Sequence, residues 1–343
     1  MISPAQFIVL FLTSFTFVAI FTPLMRKIAI KINFLDDPNS THKTHKEPIP
    51  YLGGVAIILG ICITIYLAIF TQSSMQIDFW LATSVLLPAV ILGMVGLVDD
   101  YFVLAPFPRF IFQTLSGIFT AGLLIQSDTV GNPTGSFLLD AIITVFWIVG
   151  ITNAINFFDN LDGGAAGTVA VTSLGLIAIT LLNGQVLVAA TSTVILAAML
   201  SFLIWNKSPA RIYMGDAGSL FLGTMISVLT IRLNPEAESQ AISLLIPVLL
   251  LAIPILDTSV AVASRVRRRI SIFESGLDHL SHRLVRMGAT KKQTFFILCS
   301  LSIIFAGLAT ALALQNHGLT LISIIAIVFW GVLFAIFLNT DDV

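Results

Sequence analysis

The chain has 343 residues, of which 57% are hydrophobic and only 10% charged, and its formal net charge is −1. A soluble domain carries about 25% charged residues, so the composition excludes an ordinary soluble globule and requires a polytopic membrane protein. The near-zero net charge points to no nucleic-acid partner. Cys62 and Cys299 both fall inside apolar runs, the pattern of small buried or lipid-facing residues rather than of a disulfide or a thiolate metal site. The opening MISPAQF lacks the basic stretch of a secretory signal and reads as the start of a retained first span. With no repeat, low-complexity tract or linker, residues 1–343 read as one integral-membrane domain.

Crossing the hydrocarbon layer takes about 20 apolar residues. Eleven runs qualify, near 7–25, 51–70, 79–98, 107–126, 137–156, 164–182, 185–205, 217–232, 241–262, 294–314 and 319–338. With the N-terminus outside, the inner segments hold sixteen of the seventeen basic residues, all but Arg232. The positive-inside rule therefore predicts an all-α bundle of eleven transmembrane helices, N-terminus out and C-terminus in.

The outer connections are short and plain, whereas five polar clusters share the predicted inner face. The first loop carries Asp36-Asp37-Pro38 with His42, Lys43 and His45, either a solvated patch or part of a site. Asp99-Asp100 closes the third span. Two carboxylates at a helix C-terminus oppose its dipole, so a compensating cation is expected; the pair is either a solvated helix end, a holder of Mg²⁺ shared with substrate phosphates, or the source of a base in one of its members. Next, Asn153-Ala-Ile-Asn156-Phe-Phe-Asp159-Asn160-Leu-Asp162-Gly163-Gly164 follows an apolar run. At i,i+3 spacing Asn153, Asn156, Asp159 and Asp162 share one helix face, and the glycines permit a sharp reversal.

Tyr213 precedes Gly215-Asp216-Ala217-Gly218-Ser219 at the start of the eighth span. The segment is either a simple helix cap or a helix N-terminus open to phosphate, with Asp216 as metal ligand and Tyr213 as a stacking face. Asp257 lies inside the ninth span, where a carboxylate is either functional or paired, the nearby arginines being the simplest partners. The 263–293 loop holds Arg265, Arg267, Arg268 and Arg269, read as topology determinants that touch anionic lipid. It then presents His279, His282 and Arg283, which on a helix would share a face suited to a diphosphate.

Five motifs in order, Asp37-Pro38-Asn39 to Gly53-Gly54, Gly96-Leu-Val-Asp99-Asp100, Asn153 to Gly163, Met214-Gly-Asp216-Ala-Gly-Ser-Leu220 and His279-Leu-Ser-His282-Arg283-Leu284, span almost the whole chain. Together they resemble the polyprenyl-phosphate N-acetylhexosamine-1-phosphate transferases, the WecA- and TagO-like members of glycosyltransferase family 4, with MraY as a more distant relative. The resemblance implies transfer of a sugar-1-phosphate from a UDP-sugar to polyprenyl (undecaprenyl) phosphate with release of UMP. It implies Mg²⁺, or Mn²⁺ in its place, and a catalytic face on the cytoplasmic side of a bacterial inner membrane. By that likeness Asn156 and Asp216 hold the metal, and Asp99 and Asp100 serve at the acceptor phosphate beside Arg109. Asp159 joins the catalytic carboxylates, and Asp162 and Tyr213 contact uridine. His279, His282 and Arg283 hold the donor's diphosphate or sugar, with Lys43, His45 and Asn153 as further substrate contacts. Ser281 and Tyr51 depart from the family's usual histidine and arginine, and Asp278 directly precedes His279 where the family's acidic residue sits further upstream.

The short 263–293 loop favours GlcNAc over an MraY-type peptide-bearing donor. The expected chemistry is a single displacement with Asp99 or Asp100 as proton acceptor, and a double displacement through an aspartyl phosphate is its rival. Two other classes stay open, an ion-coupled transporter, whose site belongs near the bilayer midplane, and a lipid-binding scaffold. The oligomeric state is open, a homodimer included.

Overall fold

A computed structural model describes residues 3–36, 48–71, 75–102, 104, 106–237, 239–272, 276–315 and 321–340. Lys43 and His45 lie outside the described residues. The helices are α1 (Pro4–Lys31), α2 (Gly53–Phe70), α3 (Met75–Phe102), α4 (Pro106–Gln126), α5 (Phe137–Phe158), α6 (Gly164–Leu182), α7 (Val186–Asn206), α8 (Gly215–Arg232), α9 (Gln240–Leu250), α10 (Ala252–Arg268), α11 (Leu280–Arg286), α12 (Lys291–Gln315) and α13 (Leu321–Asn339). A two-stranded antiparallel ribbon, β1 (Leu35–Asp36) with β2 (Ile49–Pro50), pairs Leu35 with Pro50.

Each predicted span is present as helix, but two differ in kind from the expectation. The ninth is two helices, α9 and α10, bent by 79°. Pro247 lies inside α9 and Pro254 in the first turn of α10, and each removes a backbone donor from the helical ladder, so the run breaks at Leu251 between them. Among the described residues nine single helices are long and apolar enough to cross a membrane, and α8 is not one of them. Its apolar content is diluted by Gly218, Ser219, Gly223, Thr224, Ser227 and Thr230.

The reason for that composition is position. Helix α8 is buried almost throughout its length and packs chiefly against α3 and α5, whereas α1 and α13 bury little of their surface. Small side chains let backbones approach closely where lipid supplies no hydrophobic drive between helices. Hydroxyls on α8 bond within the helix or to neighbours, as when Trp147 donates to the Thr230 hydroxyl at 2.9 Å.

Helices α2 and α8 approach closely. Gly53 and Gly54 donate their amides to the carbonyls of Tyr213 (3.0 Å) and Met214 (2.9 Å), and Tyr213 donates to Pro50 (2.9 Å). A Cβ on Gly54 would fall on the Gly218 backbone and 2.6 Å from the Met214 oxygen. Gly54→Ala is therefore expected to destabilise the fold by about 1–3 kcal/mol, read as a lower melting temperature of the purified protein. A melting point equal to the parent's would show that α2 and α8 can separate freely.

Candidate active site

The helix ends meet in a cleft of about 260 Å³ lined by Asp36, Tyr51, Asp100, Asn156, Asp159, Asn160, Leu161, Asp162, Tyr213, Gly215, Asp216, His282 and Lys291. Asp100 stands in the last turn of α3 and Asp216 in the first turn of α8, so the site is at the end of the bundle, away from its middle. That location disfavours a midplane transport site.

The adjacent carboxylates Asp99 and Asp100 are not a matched pair, because consecutive helix positions point about 100° apart. Asp99 is buried beside the cleft. It accepts from the Leu104 amide and from Arg109 Nη1, both at 2.6 Å. Asp100 accepts from the amides of Asp216 (2.9 Å) and Ala217 (3.2 Å), so a carboxylate from α3 caps the N-terminus of α8, where the dipole favours negative charge. This corrects one expectation of the sequence: the α8 amides read as open to phosphate are held by Asp100.

Asp216 is a junction. Its Oδ1 accepts from Asn156 Nδ2 at 2.8 Å and its Oδ2 from Arg109 Nη1 at 3.0 Å, and Asn156 also donates to the Ser219 hydroxyl at 2.9 Å. The expected common face of the 153–162 stretch divides within α5, between Asn153 and Asn156. Asn153 turns to Gln113 Oε1 (2.6 Å) and the Val149 carbonyl (2.8 Å), away from the cleft. Asn156, Asp159 and Asp162 line it, and Gly163, at φ +76°, makes the reversal into α6.

Asp159 caps the C-terminus of α5. Its carboxylate has no hydrogen-bond partner among the described residues. Burial first, then the facing charges of Asp216, Asp100 and Asp162, raise its pKa well above the ordinary carboxylate value. Asp162 accepts from the Ala210 amide at 3.2 Å and holds the Tyr213 hydroxyl. Across from Tyr213 stands Tyr51, ring centroids 6.2 Å apart, its hydroxyl bonded to Asp36. Burial and the nearby carboxylates raise the pKa of both tyrosines, which keeps the hydroxyls neutral donors.

The 263–293 segment departs further from expectation. Asp257 pairs with His279, not with the arginines. It takes His279 Nδ1 at 2.7 Å and the Leu280 amide at 2.7 Å. Arg265 and Arg268 instead clamp Asp278, each at 2.7 Å, so Arg265 is buried structure and not a lipid contact. Burial works the other way, but the two guanidiniums hold the Asp278 carboxyl below its usual pKa. Nor do the three expected diphosphate ligands share a face. His279 is the N-cap of α11 and its ring lies 6.4 Å from that of His282, which lines the cleft. Arg283 is fully buried and donates to the carbonyls of Asp278 (2.7 Å), Phe337 (2.8 Å) and Thr340 (2.6 Å), tying α11 to the end of α13.

Among the polar side chains of the cleft, Tyr51, Asn160 and Lys291 have no site role in the sequence reading, and Asp36 enters it only with the first-loop cluster. Ser281, the departure from the family histidine, bonds to Asn160 and so joins α11 to the cleft wall. In the sequence, the signal for Asn160 is its place in the amide-rich stretch, and Lys291 belongs to the basic residues of the predicted inner face.

His282 has its pKa lowered to about 4 by burial first, then by His279 and Arg286 acting against Asp257 and Asp278. An unfolded histidine titrates near 6.5, so between about 4 and 6.5 the unfolded chain binds the extra proton. Stability therefore rises with pH across that window, fully gained above the unfolded value. His282→Gln is expected to flatten this limb in melting temperatures measured from pH 4.5 to 7. An unchanged slope would mean that His282 is solvated.

The donor set suits a hard cation. Asp100, Asp159, Asp162 and Asp216 face Lys291 as the one ammonium among the lining residues, and the side-chain amide oxygen of Asn156 accepts no hydrogen bond among the described residues. Such an all-oxygen set matches Mg²⁺, which takes one or two carboxylates and completes its shell with water and substrate phosphate.

Residues 82–234 match the family profile described as glycosyl transferase family 4. The chain is 35% identical over 330 residues, 94% of its length and 89% of the relative's, to a probable undecaprenyl-phosphate N-acetylglucosaminyl 1-phosphate transferase of Bacillus subtilis (strain 168). Undecaprenyl-phosphate alpha-N-acetylglucosaminyl 1-phosphate transferases of Salmonella typhi and Escherichia coli (strain K12) are 28% and 27% identical. They cover 85% and 88% of this chain, and 80% and 83% of their own lengths respectively.

Proposed function

The chain belongs to glycosyl transferase family 4, and from that premise we propose that it transfers N-acetylglucosamine-1-phosphate from UDP-GlcNAc to undecaprenyl phosphate, releasing UMP. The observation that carries this reading is the single cleft where Asn156, Asp159, Asp162 and Asp216 meet Tyr51 and Tyr213. In the reaction an acceptor phosphate oxygen bonds to the donor's β-phosphorus, and the bond from that phosphorus to the oxygen bridging the two phosphates breaks, so that UMP leaves. Asn156 and Asp216 are the residues that would hold Mg²⁺, or Mn²⁺. When bound, the ion neutralises charge on the diphosphate, the main need of phosphoryl transfer.

The chain's own groups divide the remaining work. Asp99 and Asp100 are engaged by Arg109, Leu104 and the α8 amides, so the proton acceptor at the acceptor phosphate is Asp159, whose carboxylate has no such engagement and a raised proton affinity. Tyr213, held by Asp162, and Tyr51 form an aromatic wall suited to the uracil ring. His282, neutral at pH 7, and Lys291 face the same space and supply donors to the diphosphate. Because sixteen of seventeen basic residues share one side, the cleft faces the cytoplasm, with the N-terminus outside and the C-terminus inside.

The test is incubation of purified protein with undecaprenyl phosphate, a panel of UDP-sugars and Mg²⁺. UMP and a lipid-linked sugar are expected with UDP-GlcNAc, with both lost in EDTA. No UMP with any donor would overturn the enzyme assignment, and turnover with a different UDP-sugar would overturn the choice of GlcNAc.

A further inference from the structure

Arg232 is the one basic residue that the topology leaves on the outer side. It ends α8, the helix that begins at the catalytic cleft. Sixteen residues of helix at 1.5 Å each separate it from Asp216 by about 24 Å, so it marks the opposite membrane boundary. There it lines a partly open cavity of about 410 Å³ between α1, α2, α3, α7 and α8, within the size range of small-molecule sites. The walls are mainly apolar, formed by side chains such as Ile69, Leu86, Val194, Met225 and Leu229, with Gln6 and Thr191 as the other polar side chains beside Arg232.

Among the described residues the Arg232 guanidinium has neither a hydrogen bond nor an ion pair. It also borders an adjoining recess with Asp128, Gln185 and Asn234. Gln185 and Asn234 bond to each other's polar groups, and Asp128 makes no ion pair with Arg232. The C-terminal dipole of α8 favours a cation at this place, yet it satisfies none of the five N–H donors that an arginine offers. An apolar chamber with an unpaired cation at its rim is complementary to an amphiphile with an apolar tail and an anionic head.

We propose that this cavity is a binding site for an anionic phospholipid from the leaflet opposite the catalytic cleft, with an acyl chain among Ile69, Leu86 and Met225 and its headgroup phosphate on Arg232. The site is separate from both substrates of the transfer reaction, and its occupancy holds whether or not the proposed activity does.

The probe is phosphatidylglycerol, added to the purified full-length protein and counted as retained lipid by native mass spectrometry. Retention by the parent is expected to exceed that by Arg232→Gln roughly tenfold or more, the loss of a charge-assisted hydrogen bond. Ala82→Phe, which fills the cavity and keeps the arginine, is expected to lose the lipid to the same degree. Melting curves and UMP release report folding, and should either variant fail to fold, the other decides alone. Equal retention by the folded variant and the parent would overturn the site. Equal retention of zwitterionic phosphatidylethanolamine would overturn the anionic head, and displacement of the lipid by millimolar inorganic phosphate would show an anion site without a tail.

Discussion

Asp216→Asn is expected to lower UMP release by about 10²–10³-fold, the cost of removing one preorganised charge from a transition-state site, with little change in folding. Among the described residues Asp216 is the one carboxylate of the cleft bonded to both Asn156 and Arg109, so it links α4, α5 and α8 at the place proposed for the cation. Its ion pair with Arg109 joins side chains exposed by 27% and 30%, and a pair so open to solvent is worth about 0–1 kcal/mol. The substitution also removes one of the five crowded carboxylates of the cleft. Loss and relief oppose each other, leaving the melting point of the metal-free protein close to the parent's. The parent should melt higher with added Mg²⁺, by mass action on the folded state, and the variant should not. Retention of most activity, or an undiminished Mg²⁺ shift, would remove Asp216 from the metal site.

What the sequence disclosed was decided by the range of the interactions involved. Apolar runs and basic loops are local signals, and each of the eleven runs became helix because a backbone in lipid must satisfy its own polar groups. The break at Leu251 was also local, flagged by Pro247 and Pro254, but a hydropathy window averages over prolines. The motif stretches pointed to the right end of the bundle, since Asp100, Asn156, Asp159, Asp162, Tyr213, Asp216 and His282 do line one cleft. Spacing alone could not say which way a side chain turns once its helix has a neighbour. Asn153 lies one turn before Asn156 yet bonds to Gln113 on α4. Arg283 follows His282 yet reaches Phe337 and Thr340, more than fifty residues away. Asp257 sat near four arginines in sequence, yet pairs with His279. These partners are fixed by packing between helices, to which no periodicity in one segment gives access.

Asp100 separates a brace from a base. As proton acceptor it would need its charge, and Asp100→Asn would be as inactive as Asp100→Ala. As the cap seen here it places one oxygen on the Asp216 amide and the other on the Ala217 amide, and asparagine, among the good N-cap residues, keeps an acceptor for one of the two. Asp100→Asn is therefore expected to retain activity within about tenfold of the parent, the loss being the charge's share of the cap and the longer of its two bonds, that to Ala217. Asp100→Ala leaves two amides at the start of α8 without their acceptor, at about 1–3 kcal/mol each, and frees the turn that carries Asp216. A displacement of about 1 Å there can cost 10²-fold in rate, so alanine should be near-inactive as well as less stable. The companion substitution Asp159→Asn should be the one that removes activity without lowering the melting point, because its carboxylate forms no bond to lose and its burial opposes its charge. Steady-state UMP release and melting curves on the three variants decide the matter. Equal inactivity of the asparagine and alanine variants at 100, with full activity of Asp159→Asn, would return the proton to Asp100.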